Sequence, residues 1–393
     1  MKQKGVVAVA LALAGVFSEP SDAFKLKVES AGKEQRVANL RSVWSLSSVF
    51  GNGATFVLDN FWRDLNHEEL THRTFGCDGD AEQRTCASST NIGQFAPLAV
   101  LVGVRWNDNP PFQLEDDQRP KGCRGTTVKL PVLQADCWLT VFSQGKKDAA
   151  ANADGTPGRF FDGASRSALL LRSHFGDMQF LHAMARRDGE RAADTKQAIL
   201  DWAEFTYRTA IKDFAGGQYL YQLPIRETAA ITGGERPFAQ LFDRQKGWTV
   251  ATLFTLGDDT FRSQPAFSWV AFGSLLHVIQ DSFARGHVER SDTPGQTCSV
   301  SNGMTFDKPG RVRTFHSYSN QDDKLHSKED DVTALEAHLL SPPPGAVEVG
   351  KILLSMYRSN APWVQVREYL SDCVFDLEDP NALSGPGNEF IAR

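Results

Sequence analysis

The stretch that most constrains this chain is WVAFGSLLHVIQDSFARGHVER, residues 269 to 290, which sets His277, Asp281 and His287 inside an apolar run. Trp269, Val270, Phe272, Leu275, Leu276, Val278 and Ile279 give the pattern of a buried helix, and in a helix residues four apart stand one above the other. His277 and Asp281 therefore share a face. An ionised carboxylate on a core-facing stripe is costly unless a cation or a strong partner sits beside it. Zinc supplies that partner, since imidazole nitrogen and carboxylate oxygen bind it at about 2.0–2.2 Å. Arg285 and Gly286 let the chain bend, so that His287 returns to the same centre or reaches a neighbouring one. The competing reading is a core histidine hydrogen-bonded to an aspartate in a helical bundle.

The rest of the chain bounds class and compartment. With 393 residues, 41% hydrophobic and 23% charged, it is long enough for one large core or two modest ones. Lysines at 2 and 4, an apolar run from Val6 to Phe17, and small Ser21 and Ala23 form a secretory signal ending at residue 23. Residues 24–393 then read as one domain. No stretch approaches the roughly twenty apolar residues of a membrane span, so the expectation is a soluble secreted or periplasmic protein. Six cysteines in an exported chain favour disulfides. The economical pairing is Cys77 with Cys86, Cys123 with Cys137, and Cys298 with Cys373.

Helical patterns run over 40–75, 165–186, 191–215 and 236–256, with a helix or two interrupted near Pro362 and a loose Pro/Gly-rich tail from Glu378. Residues 112–160 read as an insertion, in which TTVKLPVL and CWLTVF suggest a small hairpin closed by Cys123 and Cys137, followed by a loop, KKDAAANADGTPG. The expected fold is mainly α: a helical bundle around a multinuclear zinc site, with a small disulfide-closed β insertion.

HVIQDSFARGH resembles, in residue type and in spacing, the His-x-x-x-Asp, five residues, His signature of the zinc-dependent phospholipase C and single-strand nuclease superfamily. Its members are α-helical and hold three zinc ions. Further islands carry the resemblance. His67 lies in a His-Glu-x-x-Thr context like that of a ligand near the family's start; Asn66 can cap that helix, and Glu68 and Glu69 suit its first turn. Asp108, in Trp106-Asn107-Asp108 ahead of Pro110-Pro111, resembles an aspartate that bridges two zincs. An ordinary turn competes there, and Asp162 is the fallback. His174, in Ser-His-Phe, matches a ligand position, with His182 as its rival. His326 and Asp330 repeat the His-x-x-x-Asp spacing and fit the family's second pair, against a solvated charged helix face. His338, near a helix end before Pro342, suits the helix dipole without a metal.

The ligand set is thus His67, Asp108, His174, His277, Asp281, His287, His326 and Asp330, too many for one zinc and enough for two or three. Histidine dominance favours zinc over magnesium. Such a cluster suits phosphodiester hydrolysis, and the resemblance makes Asp108 the residue that bridges ions and takes the nucleophile's proton. The substrate reading is a phosphatidylcholine-type phospholipid, met at a membrane or micelle surface and cleaved to diacylglycerol and phosphorylated head group. The 26 phenylalanines are compatible with a lipid-accepting cleft, and a net charge of −6 without a basic block weakens nucleic-acid binding. A secreted single-strand nuclease, which would stack bases on exposed aromatics, and a non-catalytic helical protein are the alternatives. There is no Walker loop, nucleophile elbow or internal repeat.

Overall fold

A computed structural model describes residues 66–78, 93–114, 169–225, 237–242, 245–256, 261–291, 296–301, 303–318, 320–322, 332–340 and 343–391, with single positions between them such as Cys86, Cys123, Cys137 and His326. The signal expected over 1–23, residues 40–65 of the first helical pattern, the loop from Lys146, Asp162 and Asp330 lie outside these.

The fold is mainly α. In chain order come α1 (Asn66–Thr74), α2 (Leu98–Val104), β1 (Phe112–Gln113), β2 (Thr127–Val128), α3 (Leu169–Phe175) and a 3-10 turn (Gln179–His182). Then follow α4 (Ala192–Ala210), α5 (Pro237–Gln240), α6 (Val250–Thr255) and α7 (Gln264–Asp281). After α7 stand β3 (Val288–Arg290), β4 (Gln296–Ser299), β5 (Thr305–Lys308) and β6 (Val312–Phe315), then α8 (Val332–Leu340), α9 (Ala346–Arg358) and α10 (Trp363–Glu368), which runs on as a π-helix to Val374.

α7 is the axis. Pro265 stands in its first turn, where the missing N–H costs nothing, and every residue from Val270 to Asp281 is buried. A helix buried on all sides belongs at the centre of a core, and α7 packs against α1, α2, α4, α6, α9 and the 3-10 turn. Its crossing with α2 is made on glycines. A Cβ added to Gly273 would lie 2.2 Å from the Val100 carbonyl oxygen, and one added to Gly103 would lie 2.1 Å from that of Val270. The two backbones touch, which places the turn after α2 beside the C-terminal half of α7. On the other flank, Trp202 of α4 stacks on Trp106 with centroids 5.6 Å apart, and Phe205 lies parallel to Phe254 of α6 at 5.5 Å.

The strands are short antiparallel pairs. β3 pairs with β6, and the β4–β5 hairpin is nested between them. Because β3 begins one residue after His287, and His316 N donates to His287 O at 2.8 Å, this ribbon holds the chain where it leaves α7. The three disulfides join Cys77 to Cys86, Cys123 to Cys137 and Cys298 to Cys373. Among the described residues no helix is long and apolar enough to cross a membrane.

Four expectations are corrected. The segment CWLTVF is helical where it is described, at Cys137, Val141 and Phe142, because Cys137 and Val141, four apart, both face the core. Among the described residues most strand residues follow His287. The pattern over 236–256 is two short helices with a turn at Lys246-Gly247 between them. The tail from Glu378 is tied down: Glu378 N donates to Val312 O at 2.9 Å, Ala192 N to Ala382 O at 2.8 Å and Ser384 N to Glu190 O at 2.9 Å. His338 serves the next helix, accepting from Ala346 N at 3.2 Å at the start of α9.

The glycine crossing generates a test. Gly273→Ala forces a methyl group against backbone that cannot rotate away, so urea unfolding should show a loss of about 1–3 kcal/mol. An unchanged midpoint would mean that α2 and α7 separate without cost.

Candidate metal centre

The buried end of α7 faces the first turn of α1, the turn after α2 and the 3-10 turn, and each brings a ligand-type side chain. His67 comes from α1, Asp108 from the turn, His174 from the end of α3, His182 from the 3-10 turn, and His277 and Asp281 from α7. His287 follows α7 and His326 lies in a short helical turn. All eight are buried.

Asp281 is the hub. His277 Nε2 and His182 Nδ1 each stand 2.9 Å from its Oδ2, His287 Nδ1 stands 3.7 Å from the same atom, and His67 Nε2 stands 3.5 Å from Oδ1. Asp108 closes the far side, 3.9 Å from His67 Nε2, 3.7 Å from His182 Nδ1 and 3.8 Å from His277 Nε2.

The second ring nitrogens decide what this geometry means. His277 Nδ1 lies 2.7 Å from Val104 O and His287 Nδ1 lies 2.7 Å from His182 O. A carbonyl only accepts, so each Nδ1 carries the proton. His174 Nδ1 meets Leu170 O at 2.9 Å in the same way. His67 Nδ1 lies 2.6 Å from Gln280 Oε1, an oxygen fixed as acceptor because Gln280 Nε2 donates to Thr71 Oγ1. With Nδ1 so committed, Nε2 is the ring atom that His67 and His277 turn toward the carboxylates. An approach of 2.9 Å in a dry interior requires a cation or a proton between the two atoms.

Burial acts on the ionisation of these groups. Burial pushes His182 down to about 4 against the opposing pull of Asp281, and burial reinforced by His182 drives His174 well below the ordinary histidine range. Burial works against ionising Asp281, but the imidazoles of His277, His287 and His182 outweigh it and hold its carboxyl well below the usual range. His174 and His182 held below the ordinary histidine range, beside an ionised Asp281, are in the states a metal ligand requires.

Three triads have ligand atoms within 4.8 Å of one another: His67, Asp108 and His277; Asp108, His174 and His182; and His182, His277 and Asp281. Two donors on one tetrahedral zinc stand roughly 3.3 Å apart, and the separations here run from 2.9 to 3.9 Å. Among the described residues Asp281 Oδ1 and His182 Nε2 have no hydrogen-bond partner, which buried polar atoms rarely tolerate. These groups can hold a metal ion. His287 and His326 form a further stacked pair, centroids 4.9 Å apart, under the half-exposed ring of Tyr318.

His174 and His182, rivals by sequence, both enter the cluster. Glu68 and Glu69 are buried and not helix-end decoration: Glu68 pairs with Arg105 at 2.6 Å, tying α1 to the turn that carries Asp108, and Glu69 pairs with Arg73 at 2.8 Å. Sequence reasoning passed over Asn107. Its Oδ1 accepts from Ser274 Oγ at 2.6 Å and its Nδ2 donates to Leu181 O at 2.7 Å, while Trp202 Nε1 donates to Ser274 Oγ at 3.1 Å. One amide thus joins Asp108 to α7 a turn ahead of His277 and to the residue before His182. Gln280, polar inside an apolar helix, was the one legible signal of such support. Comparison of the chain with family models, with curated proteins and with solved structures finds no match.

The depressed histidines set an acid limit. Burial holds His72, His182 and His338 each at about 4, against an unfolded value of about 6.5. The unfolded chain binds these protons first, so their neutral burial contributes its full stability above about pH 6.5 and loses it as pH falls toward 4. Urea midpoints measured with chelator present should therefore fall between pH 7 and pH 5. A midpoint that rises on acidification would contradict the neutral assignment.

Proposed function

We propose that this protein is a zinc-dependent phosphodiester hydrolase that acts on phosphatidylcholine-type phospholipids as a phospholipase C. One observation carries the reading: the fully buried Asp281 carboxylate is faced by four imidazoles whose remaining ring nitrogens are in part already committed. That arrangement has no evident use as packing, and it coincides with the spacing by which residues 277–287 resemble the zinc phospholipase C and single-strand nuclease superfamily.

His67, His174, His182, His277, Asp281 and Asp108 would hold the ions nearer α7, and His287 with His326 would serve the other side, where Asp330 fits by spacing. Zinc rather than a harder ion suits a donor set dominated by imidazole. When bound, such ions polarise phosphoryl oxygens and make water a competent nucleophile near neutral pH. Asp108 differs from Asp281 in keeping a margin of solvent contact, 7% of its side chain against none, which supports giving it the role of meeting a substrate and accepting the nucleophile's proton. Val104 O and Gln280 fix ring orientation at His277 and His67, and Asn107 fixes the approach of Asp108, so the donors are held before substrate arrives.

Metal analysis tests the centre directly. The purified protein should carry two to three zinc ions per chain, the number the ligand set accommodates. His277→Ala and Asp281→Asn should each lose metal and hydrolysis together, because a buried partner is left uncompensated. Full metal and activity in both variants would reduce this end of α7 to core packing.

The lipid assignment is tested by competition. With a net charge of −6 the chain offers a polyanion little long-range attraction, whereas a lipid presents one phosphodiester. Turnover of phosphatidylcholine in mixed micelles should exceed that of single-stranded DNA and RNA at equal zinc and near-neutral pH. Rapid release of nucleotides without diacylglycerol would make the protein a nuclease on the same centre.

A further inference from the structure

From the contacts of its last segment we infer that residues 383–391 are a positioning strap for the His287–His326 side of the centre, which loses its cation without the strap while the His67–His277–Asp281 side does not. The inference rests on the proposed metal reading.

Among the described residues the strap bonds to the segment after His316 and to the start of the turn that carries His326. Ser317 N donates to Gly385 O at 3.0 Å, and Asp322 N donates to Phe390 O at 2.6 Å. His326 N in turn donates to Asp322 O at 2.9 Å, so the strap fixes the start of the turn that carries His326. Gln321 links all three parts: its Nε2 donates to Gly286 O, one residue before His287, and to Pro386 O, both at 2.8 Å. Beneath the strap the Phe390 ring packs on His316, with centroids 5.6 Å apart, and His316 N bonds to His287 O. Arg285 pairs with Glu389 at the surface, a contact worth little by itself.

Local backbone makes the fit specific. Gly387 has φ +79°, and a Cβ there would lie 2.6 Å from Cε1 of the His316 ring. Both the conformation and the space therefore exclude a side chain. By contrast, His67, His277 and Asp281 are supported by Gln280, Val104 and α7 itself, none of which contacts the strap in these bonds. Partners that orient a ligand are commonly worth about 10- to 100-fold in metal affinity; the rings of His287 and His326 meet His182 O and the Tyr318 hydroxyl, and the last nine described residues hold the backbone segments that carry these two histidines.

The test uses the full chain with Gln321→Ala and Gly387→Val, read by zinc per chain, by chelator-driven zinc release, and by amide hydrogen exchange. Both variants should hold about one ion fewer than the parent, or release it about 10- to 100-fold faster, while keeping the remainder. Exchange should quicken at residues 286–288 and 325–326 and stay unchanged at 277–281. Should Gly387→Val fail to fold, Gln321→Ala alone carries the test, since it leaves the backbone free of new strain. Parental zinc content and release in the variants would overturn the strap's role, as would loss of all the zinc together. A parent chain that binds no zinc would sink the metal reading instead, and the exchange pattern would then still show whether the strap orders the two histidine segments.

Discussion

The structure is organised around a carboxylate that cannot stand alone. Asp281 ends the central helix, out of reach of solvent, and the groups nearest to it are imidazoles. Were those rings free to turn, each could offer Asp281 an N–H and the site would be an ordinary buried hydrogen-bond cluster. They are not free. Val104 O, His182 O and Gln280 Oε1 already take the Nδ1 protons of His277, His287 and His67. Nε2 of His277 and of His67 is thereby the atom turned to the carboxylate, while His182 approaches it through Nδ1, and this crowding of ligand-type atoms could hold a metal ion.

Holding that cluster in place falls to the packing around α7. The glycines at 103 and 273 let α2 lie directly on it, so that Val104 O reaches His277. Asn107 and the buried Glu68–Arg105 pair then lock the turn behind Asp108 to α7 and to α1. A buried ion pair adds little net stability over apolar residues, but it has one good register, and register is what a ligand set requires. The supports are mostly neutral hydrogen bonds to backbone, which hold direction without adding charge to a site that already has too much of one sign.

Much of this was legible in the sequence. The apolar periodicity of 269–281 predicts the central buried helix, the spacing of His277 and Asp281 puts them on one face, and the economical cysteine pairing is the one observed. What could not be read shares a cause: it depends on partners distant in the chain. Glu68 and Glu69 look like surface helix-start residues until Arg105 and Arg73 are seen against them. His174 and His182 look like alternatives along one pattern, since nothing local says that α3 stops at Phe175 and a 3-10 turn swings His182 in beside it. The tail after Glu378 has the composition of a loose end, yet its backbone groups find partners on β6, α4 and the loop after His316. Composition reports what a segment can do alone, and these segments act in pairs.

Charge also bears on how an acidic chain would attract an anionic substrate under the proposed reading. Imidazoles bound to metal are neutral, so under that reading the described part of the cluster would contribute the charges of Asp108 and Asp281 alone. One divalent ion cancels both, and a second leaves a buried excess of positive charge that Asp330, if it joins, offsets only in part. Inside a low-dielectric wall such an excess is poorly screened and acts strongly over a few ångströms, while the net −6 of the whole chain acts over the Debye length of about 8–10 Å and is damped by salt. The two fields favour a ligand whose single phosphodiester enters the pocket and whose remainder carries no further phosphates. A phospholipid meets that condition and a polynucleotide does not, which is the physical ground for ranking the lipid first on a centre whose chemistry would serve either.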